Sequence, residues 1–113
     1  PYVLRADEID YDVDLGAEKL IAATRDSQKI LVEVKSFLRQ SRAYEMHHAL
    51  GQFNTYVLAL QEQEPDRKLF LAVPRSIYEE FFRKAFIQKL IQHYAVHLVV
   101  FDPGQKIIVK WMP

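Results

Sequence analysis

The sequence contains no cysteine, which excludes a disulfide scaffold, a thiol nucleophile and a thiolate zinc site. It has no excess of either charge, 15 Lys and Arg standing against 15 Asp and Glu. It therefore lacks the overall basic balance of many nucleic-acid binders, and any DNA contact has to come from a local patch. No apolar run approaches the ~20 residues that span a bilayer, and the amino terminus lacks the basic-then-apolar layout of a secretion signal. Internal repeats, linkers and low-complexity segments are also missing. A soluble protein is expected, and a reducing cytoplasm fits the missing thiols.

What is present suits one domain. The chain has 113 residues, half of them hydrophobic, enough for a single core over residues 1–113. In "EIDYDVDLGAEKLIAA", Ile9, Tyr11, Val13 and Leu15 alternate with Asp10, Asp12 and Asp14, the period of a half-exposed strand. Gly16 allows a bend, extended chain resumes at Lys19, and "TRDSQ" supplies a turn before the strand "ILVEVKSF". From Ser41, apolar residues Met46, Ala49, Leu50, Phe53, Tyr56, Val57 and Leu60 recur at three- and four-residue steps, which predicts an amphipathic helix to Glu62. "KLFLAVP" reads as a buried central strand closed by Pro74. Ser76 and Glu79 have capping-box spacing, predicting a helix from there to about Tyr94. Two strands around Asp102-Pro103-Gly104 finish the chain. Strands followed by alternating helix and strand predict an α/β (α+β) fold, a mixed sheet flanked by helices.

The chemistry centres on "ILVEVKSF". In a strand, Glu33 and Lys35 share a face, opposite Val32 and Val34. One reading is an amphipathic strand with a wet face and a same-face ion pair worth a few tenths of a kcal/mol. The other is a catalytic carboxylate beside a catalytic lysine. Asp14, at the end of one strand, and Glu33, on a strand that pairs beside it, would then bind a hard divalent cation such as Mg²⁺ or Mn²⁺, the backbone carbonyl of Val34 adding a third oxygen. Lys35 would orient or deprotonate the attacking water, or offset charge in the transition state. Asp10, Asp12 and Glu18 rank below Asp14, because exposed acids are more often simply solvated.

Asp followed by a hairpin and Glu-x-Lys resembles the PD-(D/E)xK nuclease superfamily. "GQFNTY" places Gln52 and Tyr56 one helical turn apart, similar to the Gln-x-x-x-Tyr motif of RecB-type members. The longer strings "DVDLGAEKLIAA", "KILVEVKSF", "ALGQF", "LFLAVP" and "VVFDPGQKIIVKW" resemble the XisH family, the fdxN element excision controlling factors of cyanobacteria, over nearly the whole chain. That resemblance implies a restriction-endonuclease-like fold, with the helix that usually precedes its first strand expected to be missing from this chain. It also implies a metal-dependent endodeoxyribonuclease in which Asp14, Glu33, Lys35 and Gln52 are catalytic and Tyr56 is secondary. DNA, a site-specific recombinase and a small XisI-type protein are its implied partners.

Other residues carry alternatives. His47 and His48 are adjacent on a helix and diverge by about 100°, so they cannot chelate one metal without distortion, and they read as surface or boundary residues. His93 and His97 flank a predicted helix end with no third ligand, so a zinc site is not expected. Lys35, Arg39 and Arg42 form one basic group, and Arg75, Arg83, Lys84 and Lys89 a second; either would meet DNA phosphates. Three functions follow: a DNA nuclease; a catalytically inactive DNA-binding accessory to a recombinase; or an interaction subunit that uses exposed Phe81, Phe82 and Phe86 to bind an XisI-like protein or another copy of itself as a homo-oligomer.

Overall fold

A computed structural model describes residues 4–6, 9–11, 19–38 and 41–113. Strands β1 (Leu4–Ala6) and β2 (Ile9–Tyr11) form a small antiparallel pair. The main sheet contains β3 (Lys19–Arg25), β4 (Gln28–Val34), β5 (Lys68–Pro74), β6 (Leu98–Asp102) and β7 (Ile107–Met112), in that order. Its centre is parallel and both outer pairs are antiparallel, the mixed α+β sheet that the alternation of elements predicts.

Local sequence explains most joins. Asp26 and Ser27 both adopt positive φ, 49° and 69°, the geometry a two-residue hairpin turn needs to match strand twist. It pairs Arg25 with Gln28. At the second hairpin, Asp102 Oδ1 accepts from the amides of Gly104 and Gln105, at 2.9 and 3.0 Å, an Asx-type turn. Between β4 and β5 runs α1 (Arg42–Gln63), whose first turn is capped by the Ser41 hydroxyl accepting from the Tyr44 amide at 3.1 Å.

The second helical region starts differently from the prediction. Pro74, not Ser76, is the N-cap of a short turn α2 (Arg75–Ile77), with no side-chain cap. A π-helical turn follows over Tyr78–Phe82, and α3 (Ala85–His93) begins after a break. Tertiary packing wins over the local capping signal here. Phe81 and Phe82 are both buried around the Phe37 ring, with centroids 6.4 and 5.3 Å away, and the widened turn carries adjacent residues inward. The expectation that Phe81, Phe82 and Phe86 form an exposed docking patch is thereby corrected: only Phe86, 68% exposed, faces solvent.

Both crossovers, β4–α1–β5 and β5–α2–α3–β6, advance the same way along the sheet, and their usual handedness places the helices on one face. The core follows. Met46, Phe53, Tyr56 and Leu60 of α1 join Leu31, Leu71 and Val73 of the sheet. On the opposite face, Ile30, Phe70, Ala72 and Val99 cluster with half-buried Val32, Val34, Phe101 and Trp111, all from strands. Arg25 lies over the Trp111 ring, 4.1 Å from its centroid. Among the described residues no helix is long and apolar enough to cross a membrane.

Candidate functional site

Because α1 covers the face of β4 that carries Leu31 and Glu33, the two charges of "ILVEVKSF" do not line a wet face. Glu33 is 0% exposed and Lys35 6%, while Val32 and Val34 on the other side are only half-buried. The amphipathic-strand reading, with its solvated ion pair, is corrected. The reason is register: Glu33 lies between Leu20 and Leu71 on its neighbouring strands, both on the helix-covered side. Truncating either charged residue would therefore open the core.

Just beyond β4, the Lys35 amide donates to the Ala72 carbonyl at 2.9 Å, extending the parallel ladder and fixing the side chain's origin. Its ammonium Nζ donates to Gln52 Oε1 of α1. Tyr56, one turn further along α1, is buried. Burying ionisable groups is unfavourable unless polar partners surround them, and such groups cluster at functional sites more than their structural value explains. Glu33, Lys35, Gln52 and Tyr56 thus come from the two elements that the sequence assigns, and strand and helix bring Lys35 and Gln52 into contact. Asp14 lies outside the described residues, as do Asp12, Glu18 and Arg39.

The strand that carries Lys35 ends in a strained corner. Phe37 has φ 54°, a left-handed conformation unfavourable for a residue with a side chain. Its carbonyl accepts from Arg42 Nη1 at 2.5 Å, and its ring is held by Phe82 in edge-to-face contact. Arg42 also pairs with Glu80 at 3.6 Å, and Arg75 with Glu79 at 3.5 Å. Lys35 and Arg42 are thus engaged inside the protein instead of presenting a basic patch.

Beside Gln52, a cleft of about 450 Å³ is lined by His47, His48, Gly51, Gln52, Thr55 and Tyr56. His47 and His48 are exposed, as their surface assignment predicts, yet sequence reasoning did not connect them or Gly51 to the site. The available signal was a glycine in the middle of a 22-residue helix, where glycine is disfavoured. Among the described residues no group of three or more His, Cys, Asp or Glu is placed to hold a metal ion.

At the other end of the sheet, His97 packs on the Phe70 ring with centroids 5.7 Å apart. Burial, and secondarily the nearby Lys68 charge, push its pKa below its ordinary 6.5. The folded state then binds fewer protons than the unfolded chain in the interval below 6.5, so stability falls as pH drops through it and levels off beneath the lowered folded value. Urea unfolding between pH 7.5 and 5 is expected to show this slope, and His97→Gln to flatten it.

A family model described as "XisH protein" matches residues 1–109. The crystal structure of an XisH family protein from Nostoc punctiforme is 39% identical, with a TM-score of 0.88, over 100% of this chain and 84% of that one. The crystal structure of an fdxN element excision controlling factor protein from Anabaena variabilis is 43% identical, with a TM-score of 0.88, over 100% of this chain and 83% of that one. No curated protein matches.

Proposed function

The chain belongs to the XisH family, and from that membership, the buried Glu33 and Lys35 and the bond from Lys35 to Gln52 we propose that it is a DNA-element excision controlling factor that cuts DNA phosphodiesters with a divalent metal. The observation that carries this reading is the Lys35 ammonium directed at Gln52 beside a fully enclosed Glu33 carboxylate.

The donor set suits a hard cation, Mg²⁺ or Mn²⁺. Glu33 would supply one carboxylate oxygen, the Val34 carbonyl a second, and Asp14 the remaining carboxylate. Lys19 pairs with Val34, so β3 starts at the Glu33 end of the sheet, and Asp14 precedes that start by five residues. When bound, the metal would polarise the phosphate and lower the pKa of a water. Lys35 offsets the charge that develops on the phosphoryl oxygens, and Gln52 fixes the direction of its ammonium. Tyr56, buried one turn further along α1, has a secondary role in this reading. DNA is the substrate partner in this reading, with a recombinase and an XisI-like protein acting alongside.

The test is conversion of supercoiled plasmid to nicked or linear forms by purified protein. Cleavage is expected with Mg²⁺ and not with EDTA, and Glu33→Gln, which keeps the side-chain volume, is expected to lower it at least about 100-fold. Equal cleavage by Glu33→Gln would refute the assignment. A second reading draws on the lack of a three-ligand group among the described residues: an inactive accessory that binds DNA or a recombinase/XisI complex. Metal-independent DNA binding, weakening steeply with salt and without turnover, would favour it.

A further inference from the structure

Gly51 occupies the tenth position of the 22-residue α1, where glycine is the poorest choice after proline. None of the described residues accounts for it. Among the described residues, a Cβ built on Gly51 meets no atom within 4 Å, and its φ lies outside the positive range that favours glycine. Neither core packing nor backbone conformation therefore calls for the missing side chain. The remaining physical reason for a bare Cα is that something from outside comes closer to the helix than a methyl group would permit.

The surroundings indicate what that is. Gly51 lines the cleft of about 450 Å³ that also contains Gln52, the partner of Lys35, and this volume is in the range of ligand-binding clefts. Around Gly51 stand His47 and His48, both exposed, and Thr55, whose hydroxyl donates to the Gly51 carbonyl at 2.8 Å. That bond places the Thr55 hydroxyl next to Gly51 on the same side of the helix. No acidic side chain is among these cleft residues, so a phosphate meets no repulsion from them, and imidazole and amide N–H groups are suited to phosphate oxygens.

We propose that Gly51 is the close-approach point for the sugar–phosphate backbone of the bound DNA strand, in the cleft that also holds Gln52, the partner of Lys35, with His47 and His48 as its backbone contacts. The inference rests on the nuclease-like reading above and adds to it where the strand runs: along the exposed surface of α1, over a glycine kept bare for it.

The test uses the full chain, a fluorescein-labelled DNA duplex, and Ca²⁺ in place of Mg²⁺, so that binding is read by anisotropy independently of cleavage. Thermal unfolding is measured on the same samples. Gly51→Ala is expected to raise the Tm by about 2–4 °C, as alanine does at an unstrained helix position, and to weaken DNA binding at least ten-fold. The double variant His47→Ala with His48→Ala is expected to weaken binding several-fold with an unchanged Tm. A higher Tm with unchanged binding in Gly51→Ala overturns the inference while leaving the nuclease reading intact. A lower Tm overturns it too, because the space above Gly51 would then be occupied by the protein itself. Wild-type protein that binds no DNA in Ca²⁺ or Mg²⁺ overturns both readings together.

Discussion

Lys35→Met is expected to lower Mg²⁺-dependent DNA cleavage by about 10²–10⁴-fold with the protein still folded. Lys35 is 6% exposed, so its stem is part of the packing beneath α1, and methionine fills nearly the same volume without the ammonium. Gln52 loses a donor in the variant, but it is only half-buried and water can replace the lost bond. Lys35→Ala is a poorer test, since it opens a void and mixes a folding defect with a chemical one. The check is plasmid nicking measured beside circular dichroism and Tm. A folded methionine variant that cleaves like the wild type would remove Lys35 from the chemistry.

The second large effect is on stability. Phe82→Ala is expected to destabilise the fold by about 3–5 kcal/mol, a large share of the ~5–15 kcal/mol total of a typical domain, and to lower the Tm by roughly 10–20 °C. Phe82 is 0% exposed and meets both Phe37 and Phe81 edge-to-face, with centroids 5.3 and 5.7 Å away. Aromatic pairs in this geometry add to the area they bury. Phe82→Leu should recover much of the loss. The cluster also bears on the site, because Phe37 follows Lys35 by two residues and holds the left-handed corner at which that segment turns towards α1. A Phe82→Ala loss below ~1 kcal/mol would show that this aromatic group is not part of the core.

Most of the sheet and the long helix can be read from the sequence, because their signals are local. Ser41 before a three-and-four apolar repeat marks the start of α1, Asp26-Ser27 and Asp102-Pro103-Gly104 mark two hairpins, and the uninterrupted apolar run of "KLFLAVP" marks a strand buried on both faces. What the sequence hides depends on distant partners. Alternation in "ILVEVKSF" tells which residues share a side, but whether that side is wet depends on α1, which starts only at Arg42, packing over it. Phe37 shows no glycine or asparagine to announce its positive φ; the Arg42 bond and the Phe82 ring impose it. The Ser76 capping signal yields to the burial of Phe81 and Phe82. The strand Ile9–Tyr11 falls inside the alternating segment that predicts one, whereas its partner Leu4–Ala6 is three residues, too short for a period to show.

For the site, the strand and helix motifs supply Glu33, Lys35, Gln52 and Tyr56, and the fold brings the Lys35 and Gln52 side chains into contact. Their burial was not legible, and neither was the cleft along α1, because a helix surface reads as solvated until the groups beside it are placed. Asp14 lies outside the described residues, so the metal-binding half of the account stands on chemistry and chain order.

Anomalous diffraction from crystals of the full chain soaked in Mn²⁺ tests that half directly. The account predicts a single strong peak held between the Asp14 and Glu33 carboxylates, with the Val34 carbonyl among its ligands, and its loss in Glu33→Gln crystals. An absence of any peak there at saturating Mn²⁺, or Asp14 and Glu33 carboxylates too far apart to share one ion, would contradict it.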